Sequence, residues 1–323
     1  MVLEVENLQV DFPQAQAPIQ AVRGVSFGVD RGEVLGILGE SGSGKSVSVG
    51  AALRLLGKDA QVRGRITFDG RDVYTLSSKE LVDWRTSQVS MIFQEPNRAF
   101  DPIYSIGKTF EETLKLRNPK WTRAQLRAEA VRLMEEVQIQ DAASRLVNFP
   151  HQFSGGMLQR IMIALALSGN PEILVADEPT TALDVTIQAQ IVKLLLELQA
   201  SRNMGMIFIT HDLALLSNVA QRVVVMYGGL IVEEGPVGQV LGNPRSPYTR
   251  ALLQSRPQGK SHTLGRIPSI PGVVPHPARP EPGCPFEPRC TLRTSLCRQK
   301  VPQMVQDSGS PVRYRCFIPG VKK

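Results

Sequence analysis

Cysteine is absent from the first 283 residues of this 323-residue chain. Neither disulfides nor thiolate–metal sites can therefore organise the body of the protein, which must rely on a buried core. Long apolar runs are missing too. None approaches the roughly 18 residues needed to cross a bilayer. The N-terminal residues alternate apolar and polar like a first strand and carry no charged-then-apolar export signal. The expectation is a cytoplasmic protein whose link to a membrane runs through a partner. No internal repeat and no sustained heptad pattern is found, so the chain holds one copy of each motif below.

What is present is ordinary in bulk, with 42% hydrophobic and 21% charged residues. The length suits one large domain with an appendage. The net charge of +7 is unevenly spread. From Asn243 onward there are 14 Lys/Arg and 3 Asp/Glu, a balance of +11, which leaves −4 for the rest. Fourteen of the 23 prolines also follow Gly242. A boundary is expected near residues 236–243, with domains at 1–242 and 243–323 and a loop-dominated appendage beyond.

Before that boundary, buried-strand patterns at Glu33–Leu38, Ser90–Phe93, Ile173–Ala176, Met206–Thr210 and Arg222–Tyr227 alternate with helical ones at Trp121–Val137 and Ile187–Ser201. This predicts an α/β core with a mostly parallel sheet. The interval from about 95 to 170 lacks strand patterns and reads as an inserted helical subdomain.

Gly39, Glu40, Ser41, Gly42, Ser43, Gly44, Lys45 and Ser46 follow one of these strands and precede a helix pattern. The order satisfies G-x-x-x-x-G-K-[ST] in its required context. Glycines let successive N–H groups turn toward phosphate oxygens, and the following helix adds its positive end. Lys45 would reach the β- and γ-phosphates of ATP, and the Ser46 hydroxyl would hold Mg²⁺. Ile173–Ala176 leads into Asp177 and Glu178. Adjacent side chains on a strand face opposite ways, so the two acids should differ in role. Asp177 would hold Mg²⁺ and Glu178 would polarise the attacking water.

Ser154, Gly155, Gly156 and Met157, followed by an apolar helix pattern, resemble the signature motif of ABC ATPases. Ser154 suits an N-cap, and the glycines suit close approach to an anion. Other landmarks of that family occur in its order. Phe12 is similar to the adenine-stacking aromatic, Gln94 to the Q-loop glutamine, Ala182 to Asp184 to the D-loop, and His211 to the switch histidine. Met157 departs from the usual glutamine. The resemblance implies that the signature closes over ATP bound by a partner subunit, giving a head-to-tail sandwich. It also implies that Gln94 senses Mg²⁺ and the transmembrane subunit while His211 positions the γ-phosphate.

Beyond the boundary, the stretches Asn243–Leu253, Ile270–Pro275 and Gly283–Cys290 resemble the C-terminal extension of dipeptide and oligopeptide permease ATPases. This implies a peripheral subunit on the cytoplasmic membrane face, working with a paralogous ATPase, two transmembrane permease subunits and an extracytoplasmic solute-binding protein. Cys284, Cys290, Cys297 and Cys316 lack paired C-x-x-C spacing. Their confinement to 33 residues indicates a shared role, open between a 4Fe–4S cluster, Zn²⁺ and unligated thiols. Related peptide-permease ATPases carry the cluster, so the resemblance favours it. Arg289, Arg293, Arg298 and Arg315 could offset the charge of either centre.

Three rivals remain on the sequence. Nickel and other solute importers share much of the motif set. A nucleic-acid-associated ABC ATPase would exploit the basic tail, but would place a long coiled coil between the phosphate and signature motifs. A weak regulatory partner is disfavoured by Lys45, Glu178 and His211. No nucleic-acid partner is expected.

Overall fold

The computed structural model describes residues 1–15, 17–181, 183–255, 270–278 and 280–318. They form two compact units. One comprises residues 1–2, 29–34 and 73–209, and the other residues 3–28, 35–72 and 210–323.

The first unit is built on parallel strands Val89–Ile92, Ile173–Asp177 and Gly205–Thr210, with Ile92 opposite Ala176 and Asp177 opposite Ile209. All residues of the latter two are buried, which is why both read as continuous apolar runs. Between 93 and 172 the described residues form helices and turns without a strand, including Ile106–Arg117, Arg123–Glu136 and Gly155–Leu167. Their starts are set locally. The Ser105 hydroxyl accepts from Lys108 N–H, and Thr122 forms a reciprocal capping box with Gln125. The helix Val185–Arg202 is tied to this region by Arg202, whose guanidinium donates to both Glu136 carboxylate oxygens at 2.6 and 2.8 Å.

The second unit contains a four-stranded sheet ordered Ile19–Val29, Leu3–Phe12, Gln61–Phe68, Arg71–Asp72. The two central strands run antiparallel, with Leu3 opposite Phe68. Here too Val34–Leu38 lies parallel to Arg222–Tyr227, which pairs antiparallel with Leu230–Pro236. The chain's last strands, Met304–Gln306 and Arg313–Arg315, extend the same ladder, with Glu233 opposite Tyr314. Most of the described residues beyond 242 lie in turns and loops. The regular elements there are these two short strands, the helices Pro247–Gln254 and Ser295–Gln299, and a single turn at Glu287–Arg289. Among the described residues, no helix is long and apolar enough to cross a membrane.

Candidate active site

In the second unit, the strand Val34–Leu38 delivers the phosphate loop, and the helix Lys45–Ala52 leaves it. Gly44 adopts φ 97°, and a Cβ there would meet the Ala21 carbonyl oxygen at 2.5 Å, so only glycine fits. Lys45 is 7% exposed. Its Nζ donates to the Gly39 and Glu40 carbonyl oxygens at 2.8 and 3.0 Å. The lysine therefore rests on the loop's own backbone. Ser41, Gly42 and Ser46 are exposed. Ser43 is buried, and its hydroxyl is among the buried polar atoms without a hydrogen-bond partner.

The same unit carries Phe12, half-buried at a strand end, and His211, exposed directly after Thr210. His211 is followed by a fixed turn. Asp212 N–H donates to Thr210 Oγ1, and Asp212 Oδ1 accepts from Ala214 and Leu215 N–H at 2.7 and 3.2 Å. Asp212 thus caps the helix Leu213–Val219, a positioning function that sequence reasoning missed. The Asp at a strand-to-helix junction was the available signal.

In the first unit, the strand Ile173–Asp177 ends on buried Asp177. Glu178 has φ 47° and lies outside the strand. The expectation that strand alternation separates the two acids is corrected. A left-handed turn does it, held by Glu178 N–H donating to the Ile209 carbonyl at 3.0 Å. Glu178 Oε2 accepts from Gln94 Nε2 at 2.8 Å and from Thr181 Oγ1 at 3.0 Å. Gln94 and Glu178, predicted separately, are in direct contact, and Thr181 was missed.

Ser154 is the N-cap of Gly155–Leu167, its hydroxyl accepting from Met157 N–H at 3.3 Å. A side chain on Gly156 would meet Ile187 Cγ2 at 2.8 Å. Asp184 is the exposed N-cap residue of Val185–Arg202, and Ala182 lies outside the described residues.

All four cysteines line one small cavity of the second unit, together with Phe286, Leu292 and Arg315. None of the four is joined in a disulfide. Gly283 permits their convergence, because a Cβ there would meet the Cys297 carbonyl oxygen at 2.1 Å. Burial pushes the Cys284 thiol up to about 11, and the other three thiols add to the rise. Cys290 and Cys316 are raised by burial as well, partly offset by the N–H groups of Leu292 and Ile318. Among the described residues, no three His, Cys, Asp or Glu are placed to grip a metal ion. The expected charge-balancing arginines are mostly engaged elsewhere. Arg289 pairs with Glu40, and Arg293 and Arg298 pair with Glu287. Only Arg315 of the four lines the cavity, and it donates to the Ile231 and Pro302 carbonyls.

The fold and motifs define an α/β ABC-type nucleotide-binding domain with a C-terminal region. Residues 22–181 match the ABC transporter family, and residues 232–297 match the oligopeptide/dipeptide transporter C-terminal region. The chain is 45% identical over 303 residues to the dipeptide transport ATP-binding protein DppD of Escherichia coli (strain K12), covering 94% of this chain and 92% of the relative. It is 44% identical over 318 residues to a putative peptide import ATP-binding protein of Brucella abortus (strain 2308), covering 98% and 95%. A solved structure of the cassette MJ0796, a dimer in a post-hydrolysis state bound to ADP and Pi, superimposes with a TM-score of 0.65. It shares 25% identity and covers 73% of this chain and 98% of that one. The chain belongs to the ABC transporter ATPases, in the branch of peptide-transporter ATP-binding subunits.

Proposed function

We propose that this chain hydrolyses ATP to power the import of dipeptides or oligopeptides through a membrane transporter. The observation that carries the chemical part is Glu178, turned out of its strand and held by Gln94 and Thr181. Peptide as the solute rests on the relatives named above and on the matching C-terminal region. Nickel import is the alternative within the same family.

In this reading the backbone N–H groups of Gly39 to Ser46 cradle the phosphates, Lys45 neutralises them and Phe12 stacks on adenine. Ser46, Asp177 and Gln94 hold Mg²⁺. Glu178 takes a proton from the attacking water, and His211 holds the γ-phosphate. Ser154, Gly155, Gly156 and Asp184 serve ATP held by a second ATPase, and a paralogue fits this role. Two permease subunits and a solute-binding protein complete the assembly, on the cytoplasmic membrane face. Residues 1–242 form the ATPase domain and residues 243–323 the extension.

Cys284, Cys290, Cys297 and Cys316 would hold a 4Fe–4S cluster. Four thiols around one cavity, Cys297 buried and the other three half-buried, suit a cationic centre that draws off their protons. Zn²⁺, which would take the four sulfurs at about 2.3 Å, is the alternative centre. The cluster would cross-link the extension, a structural contribution. Iron and sulfide analysis of anaerobically purified chain tests this, and an iron-free, folded protein rejects it. Recovery of the chain from membranes with permease subunits, and peptide uptake that stops when it is deleted, tests the transport assignment. Co-purification with DNA or ribosomes instead would refute it.

A further inference from the structure

Glu40 is the second residue of the phosphate loop, at a position where the motif leaves the residue type open. Two residues of the C-terminal segment nevertheless hold it. Arg289, whose side chain is 4% exposed, donates from Nη1 and Nη2 to the Glu40 carboxylate at 2.7 and 3.1 Å. Tyr248 Oη accepts from the Glu40 N–H at 3.0 Å. Side chain and backbone of one loop residue are therefore both fixed from residues more than 200 positions away.

Arg289 is itself fully committed. Nη1 also donates to Tyr227 Oη at 3.2 Å, Nη2 to the Ile270 carbonyl at 3.2 Å, and Nε to the Pro271 carbonyl at 3.0 Å. The five N–H donors of a guanidinium thus meet five acceptors, a geometry lysine cannot reproduce. Behind the pair, Tyr227, Tyr248 and Phe286 form a cluster with ring centroids 4.4 to 5.4 Å apart. Burial raises the pKa of both tyrosines, so both hydroxyls stay protonated.

The consequence falls on nucleotide binding. The Glu40 carbonyl is one of the two on which Lys45 rests, so the orientation of this peptide bears directly on the lysine. The Glu40 carboxylate, beside a site for a polyanion, would repel ATP unless neutralised. We propose that Arg289 is a positioning residue for the phosphate loop, acting through Glu40, by which the C-terminal region sets the affinity for ATP.

The inference rests on the phosphate-loop reading, and titration of the full-length chain with a fluorescent ATP analogue separates the two. Wild-type chain that binds no nucleotide overturns both. If wild type binds, Arg289→Gln should weaken binding about tenfold or more, as expected for loss of a buried charge-assisted pair. In the assembled transporter the loss should fall on KM for ATP, with kcat within about twofold of wild type. Adding Glu40→Gln to Arg289→Gln should restore affinity to within about threefold of wild type, because the unneutralised carboxylate is gone. A merely structural Arg289 would lower melting temperature and kcat together rather than raise KM for ATP alone. Unchanged affinity in folded Arg289→Gln, or no rescue in the double variant, overturns the proposal. If Arg289→Gln does not fold, Arg289→Lys replaces it. It should weaken binding about threefold by losing the two-point grip, and unchanged affinity again overturns the proposal.

Discussion

Gln94 Nε2 donates to Glu178 Oε2 at 2.8 Å, which joins the proposed general base to the residue proposed to hold Mg²⁺. A carboxylate occupied in this way is a weaker acceptor for water. Loading the site with Mg²⁺ and ATP should draw Gln94 away and free Glu178 at the moment it is needed. Replacing Gln94 with Ala removes both the restraint and the metal contact. Hydrolysis in the assembled transporter should fall by about tenfold to a hundredfold, and its dependence on Mg²⁺ concentration should shift upward. An unchanged Mg²⁺ dependence would refute this assignment of Gln94.

Ser154 has two roles that separate experimentally. Within the chain it caps Gly155–Leu167, and Ser154→Ala should cost about 1 kcal/mol of stability. Across the proposed dimer its helix start faces the partner's nucleotide. ATPase turnover in the assembled transporter should therefore fall further than the modest loss of stability explains. Melting temperature and turnover, measured on the same preparation, check both.

Gly283 should tolerate no side chain. A Cβ would strike the Cys297 carbonyl at 2.1 Å, and that backbone cannot move without dragging the cysteine cavity apart. Gly283→Ala should lower the melting temperature of the chain and, if the proposed cluster is present in wild type, reduce the iron content, measured side by side. A fully loaded, equally stable variant would contradict the placement of the loop.

Glu233 gives a pH signature. It is fully buried and accepts Arg245 and Ser246 N–H at 2.6 and 3.0 Å, yet burial dominates and raises its pKa. A carboxyl raised on folding contributes stability that is present below its unfolded value near 4.5 and lost as pH climbs through the folded value. The stability of wild type relative to Glu233→Gln should therefore be greater at pH 5 than at pH 8. Thermal melts of both proteins at the two pH values give the answer.

How much of this was legible depends on the range of the contacts. The phosphate loop follows from spacing and flanking patterns, and Val34–Leu38 and Ile173–Asp177 are buried as continuous apolar runs. Ser154 was readable as a cap because capping is decided within four residues. The left-handed Glu178 was not, since an extended strand and a strand ending in a turn share the same letters until Ile209 supplies the acceptor. The contact of Arg289 with Glu40 spans 249 positions and leaves no local pattern. Arg313–Arg315 escaped detection because three polar-flanked residues become a strand only by pairing with Leu230–Pro236.

The central claim is that Glu178 is the catalytic base of a transport ATPase. The most direct test is ATP binding and hydrolysis by the assembled transporter carrying Glu178→Gln. The variant should still bind ATP, while turnover falls at least about a hundredfold and peptide uptake stops with it. Turnover near the wild-type rate would contradict the account at its centre.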